Sequence, residues 1–279
     1  MKFGVVGSFG SAEQIIEMGI AAETAGWDGF FSWDGISVGE MDTFDPWVLL
    51  SAIAMKTERI QLGAMVFALA RQQPWKVARE SITLDQISHG RLIMPVGLGA
   101  AADDGGFSRV SGGVTDRKTR AELLDDALAI LALAWTGEKF SYQGTHHSVT
   151  DLVFQPRPVS RPRIPIWVVA GYPAPKSMGR AVRWDGILPT MLSTPLFEPL
   201  TPDDIRQVAA WVAEHRGASG QPFDIVVEGE LSADPVESAA RVRGLAEAGA
   251  TWWIESRWEG ETAAPDALLT MIKNGPPRI

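Results

Sequence analysis

The chain has 279 residues, a length that suits one α/β barrel of about 250 residues with modest insertions. Its net charge is -9, with Asp and Glu spread along the chain, which argues against nucleic acid or an anionic membrane as the main partner. It has no cysteine, so disulfides, thiol catalysis and thiolate metal sites are excluded.

The start, MKFGVVGSFG, has neither the charged region nor the long apolar run of a signal peptide. With no run of about 18 apolar residues to span a bilayer, the expected location is the cytoplasm. Residues 2–7 (KFGVVG) read as a short apolar strand. Ser11 can cap a helix over 12–25 that stops at Gly26, with Ile15, Ile16, Met18, Ile20 and Ala22 supplying its stripe. WDGFFSWDG (27–35) is a second strand ending in Trp33, Asp34 and Gly35. Asp45–Pro46 opens the next helix. IQLGAMVF (60–67) is apolar almost throughout, as a strand buried on both faces is. Pro74 suits a first helical turn, and the helix it opens closes at SHGR with Gly90 as the expected C′ residue. RLIMPVGLG (91–99) re-enters the interior. Four strands alternating with three helices set the rhythm of a parallel barrel or a doubly wound sheet.

That rhythm breaks at 101–119, a Gly- and Asp-rich stretch with no period. Loops longer than about 12–15 residues are usually functional or disordered, and this one follows strand four, on the face where barrels carry active sites. An amphipathic helix over 120–135 comes next, then a small hairpin around Gln143–Gly144 and a proline-rich return. Strand five is IPIWVVAG (164–171), followed by a helix over 174–183 and strand six, DGILP. Residues 190–200 are irregular. Thr201, Pro202, Asp203 and Asp204 form a strong helix start. Strand seven (FDIVVEGE), a helix, strand eight (ATWWIESRW) and a closing helix complete the chain. No composition break marks a second domain. The expected fold is a single-domain (β/α)8 TIM barrel over 1–279, with an insertion between strands four and five.

Several stretches, in this order and spacing, resemble the bacterial-luciferase-like family of flavin- and deazaflavin-dependent oxidoreductases. They are AETAGWDGFFSWD (22–34), DPWVLLSAIAMKTERIQLGAMV (45–66), RQQPWKVARESITLDQISHGRL (71–92), GLGA (97–100), WTGEKFSYQGTHH (135–147), PRPVSRPRIPIWVVAG (156–171) and RWDGILP (183–189). The LDxxSxGR element (Leu84, Asp85, Ser88, Gly90, Arg91) is specific in this setting. The resemblance implies a barrel whose strand C-termini hold FMN, or alternatively coenzyme F420, to oxidise or reduce a small organic substrate in monooxygenase or hydride-transfer chemistry. It implies a non-proline cis peptide ending strand three, aligned to Met65–Val66 with Phe67 following, which backs the cofactor ring. It places the cofactor phosphate near Gly171, Tyr172, Lys176 and Ser177, where a glycine turn and a helix N-terminus offer backbone N–H groups. It also implies a homo-oligomer such as a dimer, with helices 45–57 and 74–88 as candidate interface, and a flavin reductase supplying reduced cofactor.

Asp34 follows a strand at the presumed active face, so it can orient substrate or act as acid or base; the alternative is a loop-capping carboxylate. Trp33 can stack on a ring or pack in the core. Gly97 and Gly99 can permit close cofactor approach. His146 and His147 are adjacent and have no ligand-spaced partner, so no metal is expected. His89 suits a helix end. Asp85 and Arg91 read as an architectural pair, and Asp185 as a brace at the start of strand six. Glu230, Glu255 and Arg257 are pocket candidates by position alone. Two departures stand out. Many relatives follow the strand-two Asp with His, whereas Asp34 precedes Gly35, which tilts the expectation toward FMN. Pro95 deletes a ladder bond, as expected only at an edge or bulge. A flavin-binding protein without turnover is the alternative function; an unrelated barrel enzyme ranks last, for want of a paired-carboxylate or lysine signature.

Overall fold

The computed structural model describes residues 1–99, 105–110, 112–195, 198–217 and 220–278. Part of the long loop expected at 101–119, residues 101–104 and 111, therefore lies outside the described residues.

The elements run β1 (Lys2–Val6), α1 (Ala12–Ala25), β2 (Gly29–Ser32), α2 (Pro46–Ala54), β3 (Gln61–Ala64), α3 (Pro74–Ile87), β4 (Met94–Val96) and α4 (Arg117–Ala134). They continue with β5 (Phe140–Gln143), β6 (Ser148–Leu152), β7 (Ile166–Tyr172), α5 (Pro175–Ala181), β8 (Gly186–Met191), α6 (Pro202–His215), β9 (Asp224–Gly229), α7 (Pro235–Glu247), β10 (Trp252–Glu255) and α8 (Pro265–Lys273). Local chemistry sets the boundaries. Ser11 and Gln14 form a reciprocal capping box on α1, and Gly26 ends that helix at φ 90. Thr201 and Asp204 do the same for α6. The end of α3 corrects the sequence expectation by one residue. His89 (φ 55) takes the left-handed C′ position and Gly90 (φ 83) follows it. Their N–H groups reach Gln86 O at 3.2 Å and Asp85 O at 2.9 Å, the two bonds of a Schellman cap.

β5 and β6 pair as the expected hairpin, in the excursion between β4 and β7. The other eight strands form one sheet in the order β3-β2-β1-β10-β9-β8-β7-β4, with every paired register parallel. Bonds between the two ends close the cylinder: Leu62 N–H to Arg91 O at 2.9 Å, Ile93 N–H to Leu62 O at 2.8 Å, and Phe67 N–H to Pro95 O at 2.9 Å. Pro95 accordingly sits between the Leu62–Leu92 and Phe67–Val96 bridges, where the β3–β4 ladder is interrupted. That is where a residue lacking an N–H does least harm.

Side chains alternate along each strand. One set faces the helices and joins the large core containing Val5, Phe30, Leu62, Val168, Val227 and Trp253. The other fills the cylinder: Val6, Phe31, Met65, Ile93, Trp167, Leu188, Val226, Trp252 and Ile254. Phe31, Trp167 and Trp252 contact one another there, with ring centroids 5.1 to 6.3 Å apart. Gly186 makes room for this plug, since a Cβ on it would lie 2.5 Å from the Trp167 ring. On the outside, Val48 in α2 and Met55 just after it are 69% and 70% exposed, in the stretch expected to self-associate.

Candidate active site at the barrel mouth

The C-terminal ends of the strands converge on one face, the mouth. At the end of β3, the Met65–Val66 peptide bond is cis, at the position the resemblance implied. Met65 belongs to the interior cluster, so the bond lies over an apolar floor shared with Val6, Val169 and Ile254. Behind it, Phe67 is fully buried and stacks on Trp47 at 4.3 Å.

Trp33 and Asp34 diverge, as consecutive residues past a strand end do. Trp33 has the inward parity of Phe31. Its indole N–H donates to Ser8 O at 2.7 Å, and its ring meets Trp258 edge-on at 6.3 Å. The Asp34 carboxylate turns the other way. Oδ2 accepts from the Ala68 N–H at 3.1 Å and from the Gln72 amide at 2.7 Å, which pins the loop after the cis bond. Burial pushes its pKa up, against those two hydrogen bonds and the nearby Arg71 charge. The geometry is that of a loop brace at the edge of the mouth. Gly97 is buried against Val66 and Val169, and Gly99 (φ 80) lies directly against the Arg71 guanidinium. Arg71 in turn lies over the Phe107 ring at 4.5 Å.

Gly171 and Tyr172 end β7, and Lys176 and Ser177 lie in the first turn of α5, two residues of chain separating the elements. The Gly171 N–H already donates to Ser177 Oγ at 3.1 Å. Tyr172 is half-buried before a cis Tyr172–Pro173 bond, and Lys176 is exposed. α5 spans 7 residues, with Lys176 and Ser177 in its first turn.

The sequence model for luciferase-like monooxygenases matches residues 1–267. The chain belongs to that family. An F420-dependent glucose-6-phosphate dehydrogenase of Microbacterium testaceum (strain StLB037) is 30% identical over 185 residues, 62% of this chain and 52% of that protein. The match thus spans about half the length of that curated relative. Among solved structures, the monooxygenase RslO1 from Streptomyces bottropensis superposes with TM-score 0.79 at 18% identity, covering 98% of this chain and 97% of that one. An F420-dependent secondary alcohol dehydrogenase, in complex with an F420-acetone adduct, gives TM-score 0.79 at 14% identity, with 97% of each chain covered. Both likenesses are of fold.

In this luciferase-like barrel the sequence reasoning overlooked Glu228. It has the inward parity of Val226 on β9, two residues further toward the mouth. Its Oε1 accepts from the Trp258 indole N–H at 3.2 Å, and the Ser256 hydroxyl is a second partner. Burial pushes its pKa up. The alternation in IVVEGE would have found it: with Val226 inward, Glu228 is inward and Glu230 is beyond the strand.

The position-based candidates fall elsewhere. Glu255 shares the outer face of β10 with Trp253, accepts its indole N–H at 3.1 Å, and binds the Arg257 Nε at 3.1 Å. Glu230 reaches the same Arg257, at 3.7 Å. Asp85 and Arg91 are both architectural, yet they do not pair with each other. Asp85 accepts from Val159 N–H, Ser160 N–H and Ser160 Oγ at 2.5, 2.9 and 2.6 Å. Arg91 donates to Ala54 O, Thr57 O, Thr57 Oγ, Ile60 O and Ser88 O. Asp185 braces β7 rather than β8, accepting from the Ile166 N–H at 2.8 Å and from Arg163. His146 faces Glu122 at 2.9 Å and His147 meets Trp75 edge-on. Among the described residues no cluster of three His, Asp or Glu could hold a metal ion.

Proposed function

We propose that the chain is a deazaflavin-dependent oxidoreductase that takes F420 at the barrel mouth and moves a hydride between it and a small organic substrate. The observation that carries this reading is the apolar floor of the mouth. A flat ring fits there: Val6, Met65, Val169 and Ile254 offer one apolar surface. Ser8 Oγ is buried and without a partner among the described residues, so a polar ring atom suits it. When bound, the cofactor supplies the redox chemistry; the protein binds, orients and shields it.

In this reading Met65, Val66 and Phe67 back the ring, and Trp33 walls it on the β2 side. Gly97 and Gly99 shape the rim beside it, the space next to them being taken by Val66, Val169 and the Arg71 guanidinium. Gly171, Tyr172, Lys176 and Ser177 hold the phosphate-bearing tail, with Lys176 as the cation. Asp34 positions the loop that carries the cis bond. Support for F420 over FMN comes from curated relatives such as the Microbacterium testaceum protein, whose description is F420-dependent. The Asp34–Gly35 departure favours the second reading, an FMN monooxygenase fed by a flavin reductase. Isothermal titration of the chain with F420, FMN and reduced FMN decides between them. Micromolar F420 binding with FMN at least tenfold weaker is the expected result; the reverse order overturns it.

A further inference from the structure

Three neighbouring strands, β2, β1 and β10, send their following loops over one side of the mouth. Between these loops lies a groove of about 570 Å3, within the range of about 300–1,000 Å3 typical of small-ligand sites. Phe9 enters it after β1, Met41 and Asp42 after β2, and Trp258 and Glu259 after β10. Phe9 and Trp258 stand edge-on, with ring centroids 6.1 Å apart. The Trp258 indole N–H is held by Glu228, which fixes the ring plane, yet the residue stays 38% exposed. Met41 and Pro265 add aliphatic wall.

The side-chain charges on this groove have one sign. Asp42 and Glu259 line it, and no Lys, Arg or His does among the described residues. Neither carboxylate belongs to an ion pair among the described residues. Arg257, the cation next to Trp258 in the chain, is committed to Glu255 and Glu230. Two helices, α1 and α8, begin at the edge of the groove, and helix starts favour anions. Each of them already carries an acid in its first turn, Glu13 and Asp266, and α1 is also closed by its capping box.

We propose that this groove binds the cationic end of the substrate, an ammonium whose nitrogen carries alkyl groups. Naming the ligand as substrate rests on the redox reading of the mouth; the binding site itself does not. Aromatic rings attract a cation through their electron-rich faces, Trp most strongly. Asp42 and Glu259 add Coulomb attraction for a cation and repel a phosphate or carboxylate. The apolar walls take alkyl groups out of water, a gain that a bare metal ion cannot use. Among the described residues no cluster of three His, Asp or Glu could hold such an ion. Trp33 meets Trp258 edge-on from the mouth side at 6.3 Å, so groove and mouth are separated by this pair of rings.

The test uses three probes of one shape and different charge: choline, its neutral carbon analogue 3,3-dimethylbutan-1-ol, and the anion 3,3-dimethylbutanoate. The chain is labelled with 5-fluorotryptophan, and the Trp258 resonance is identified by its loss in Trp258→Phe. Each probe is titrated with and without saturating F420. Choline is expected to shift the Trp258 resonance and to bind at least tenfold tighter than the other two. Asp42→Asn combined with Glu259→Gln alters two exposed side chains, and is expected to weaken choline at least fivefold while the neutral alcohol stays within about twofold. Trp258→Leu is expected to weaken choline at least fivefold as well. Equal or tighter binding of the alcohol or the anion overturns the proposal, as does unchanged choline affinity in the double variant. The comparison of the three probes on the unaltered chain stands whether or not Trp258→Leu folds. Mutual displacement of choline and F420 overturns the substrate role, since substrate and cofactor must be held together. F420 binding with a Trp258 silent to choline overturns the groove assignment alone. A Trp258 responsive to choline in a chain that binds no F420 supports the groove and overturns the cofactor assignment.

Discussion

Gly99 and Arg71 occupy one space at the rim of the mouth: a Cβ on Gly99 would lie 2.3 Å from the Arg71 guanidinium carbon. Gly99 also has φ 80, a conformation that costs a residue with a side chain roughly 1–2 kcal/mol. Gly99→Ala is therefore expected to lower the Tm by a few degrees and to push the guanidinium off the rim. If the rim shapes the cofactor site, F420 affinity falls several-fold in the same variant. Thermal unfolding and calorimetry read the two effects separately.

Asp34 is expected to act through the loop it holds. Asp34→Ala leaves the Ala68 N–H and the Gln72 amide without their acceptor, a loss of about 1–3 kcal/mol. Its pH dependence has a definite sign. Burial raises the folded pKa above the ordinary value of 3.8, so its contribution is fully present below that value and is lost as pH rises through the folded pKa. Asp34→Asn removes that titration, so the variant gains stability relative to the unaltered chain as pH increases. Urea unfolding from about pH 4 to 7 measures the difference; a flat difference sinks the assignment.

Asp126 has the opposite sign. Its carboxylate accepts from the N–H groups of Thr145, His146 and His147 and from the Tyr142 hydroxyl. These bonds hold its pKa below 3.8 despite burial; burial of the phenol, and then its hydrogen bond to Asp126, push Tyr142 up to about 12. The stability it provides is present above 3.8 and is lost as pH falls through the lower folded value. Asp126→Ala is expected to cost about 3 kcal/mol and to free the β5–β6 hairpin, seen as faster proteolysis there.

Arg91 is the anchor between α2, β3 and α3. Its guanidinium serves carbonyls of Ala54, Thr57 and Ile60. Lysine lacks the planar fork, so Arg91→Lys leaves buried carbonyls unserved and is expected to cost about 2–4 kcal/mol. Denaturant unfolding checks it; a change under 0.5 kcal/mol contradicts the role.

The barrel was legible because its signals are local. The capping oxygens of Ser11, Asp45 and Thr201 and the apolar run 60–67 depend on neighbours within a few residues. Gly90 was misplaced by one position because histidine can also take a left-handed turn, and only the backbone shows which residue does. The braces were visible as residue types but not as partners: Asp85 bonds Ser160, 75 positions away, and Asp185 serves the strand before it. Proximity in sequence suggested Arg91 and β8 instead. Glu228 was overlooked for a different reason. Strand-end reasoning rewards the last acidic residues, whereas the mouth is reached by parity, which depends on where the strand begins.

The interior plug of Phe31, Trp167 and Trp252 has a consequence for traffic. The cylinder is a cul-de-sac, so on the proposed function cofactor and substrate both enter from the mouth. Whichever settles deeper goes in before the other and leaves after it. If the proposed F420 is the deeper of the two, it adds first and leaves last, and product inhibition patterns will reveal whether the queue is obeyed.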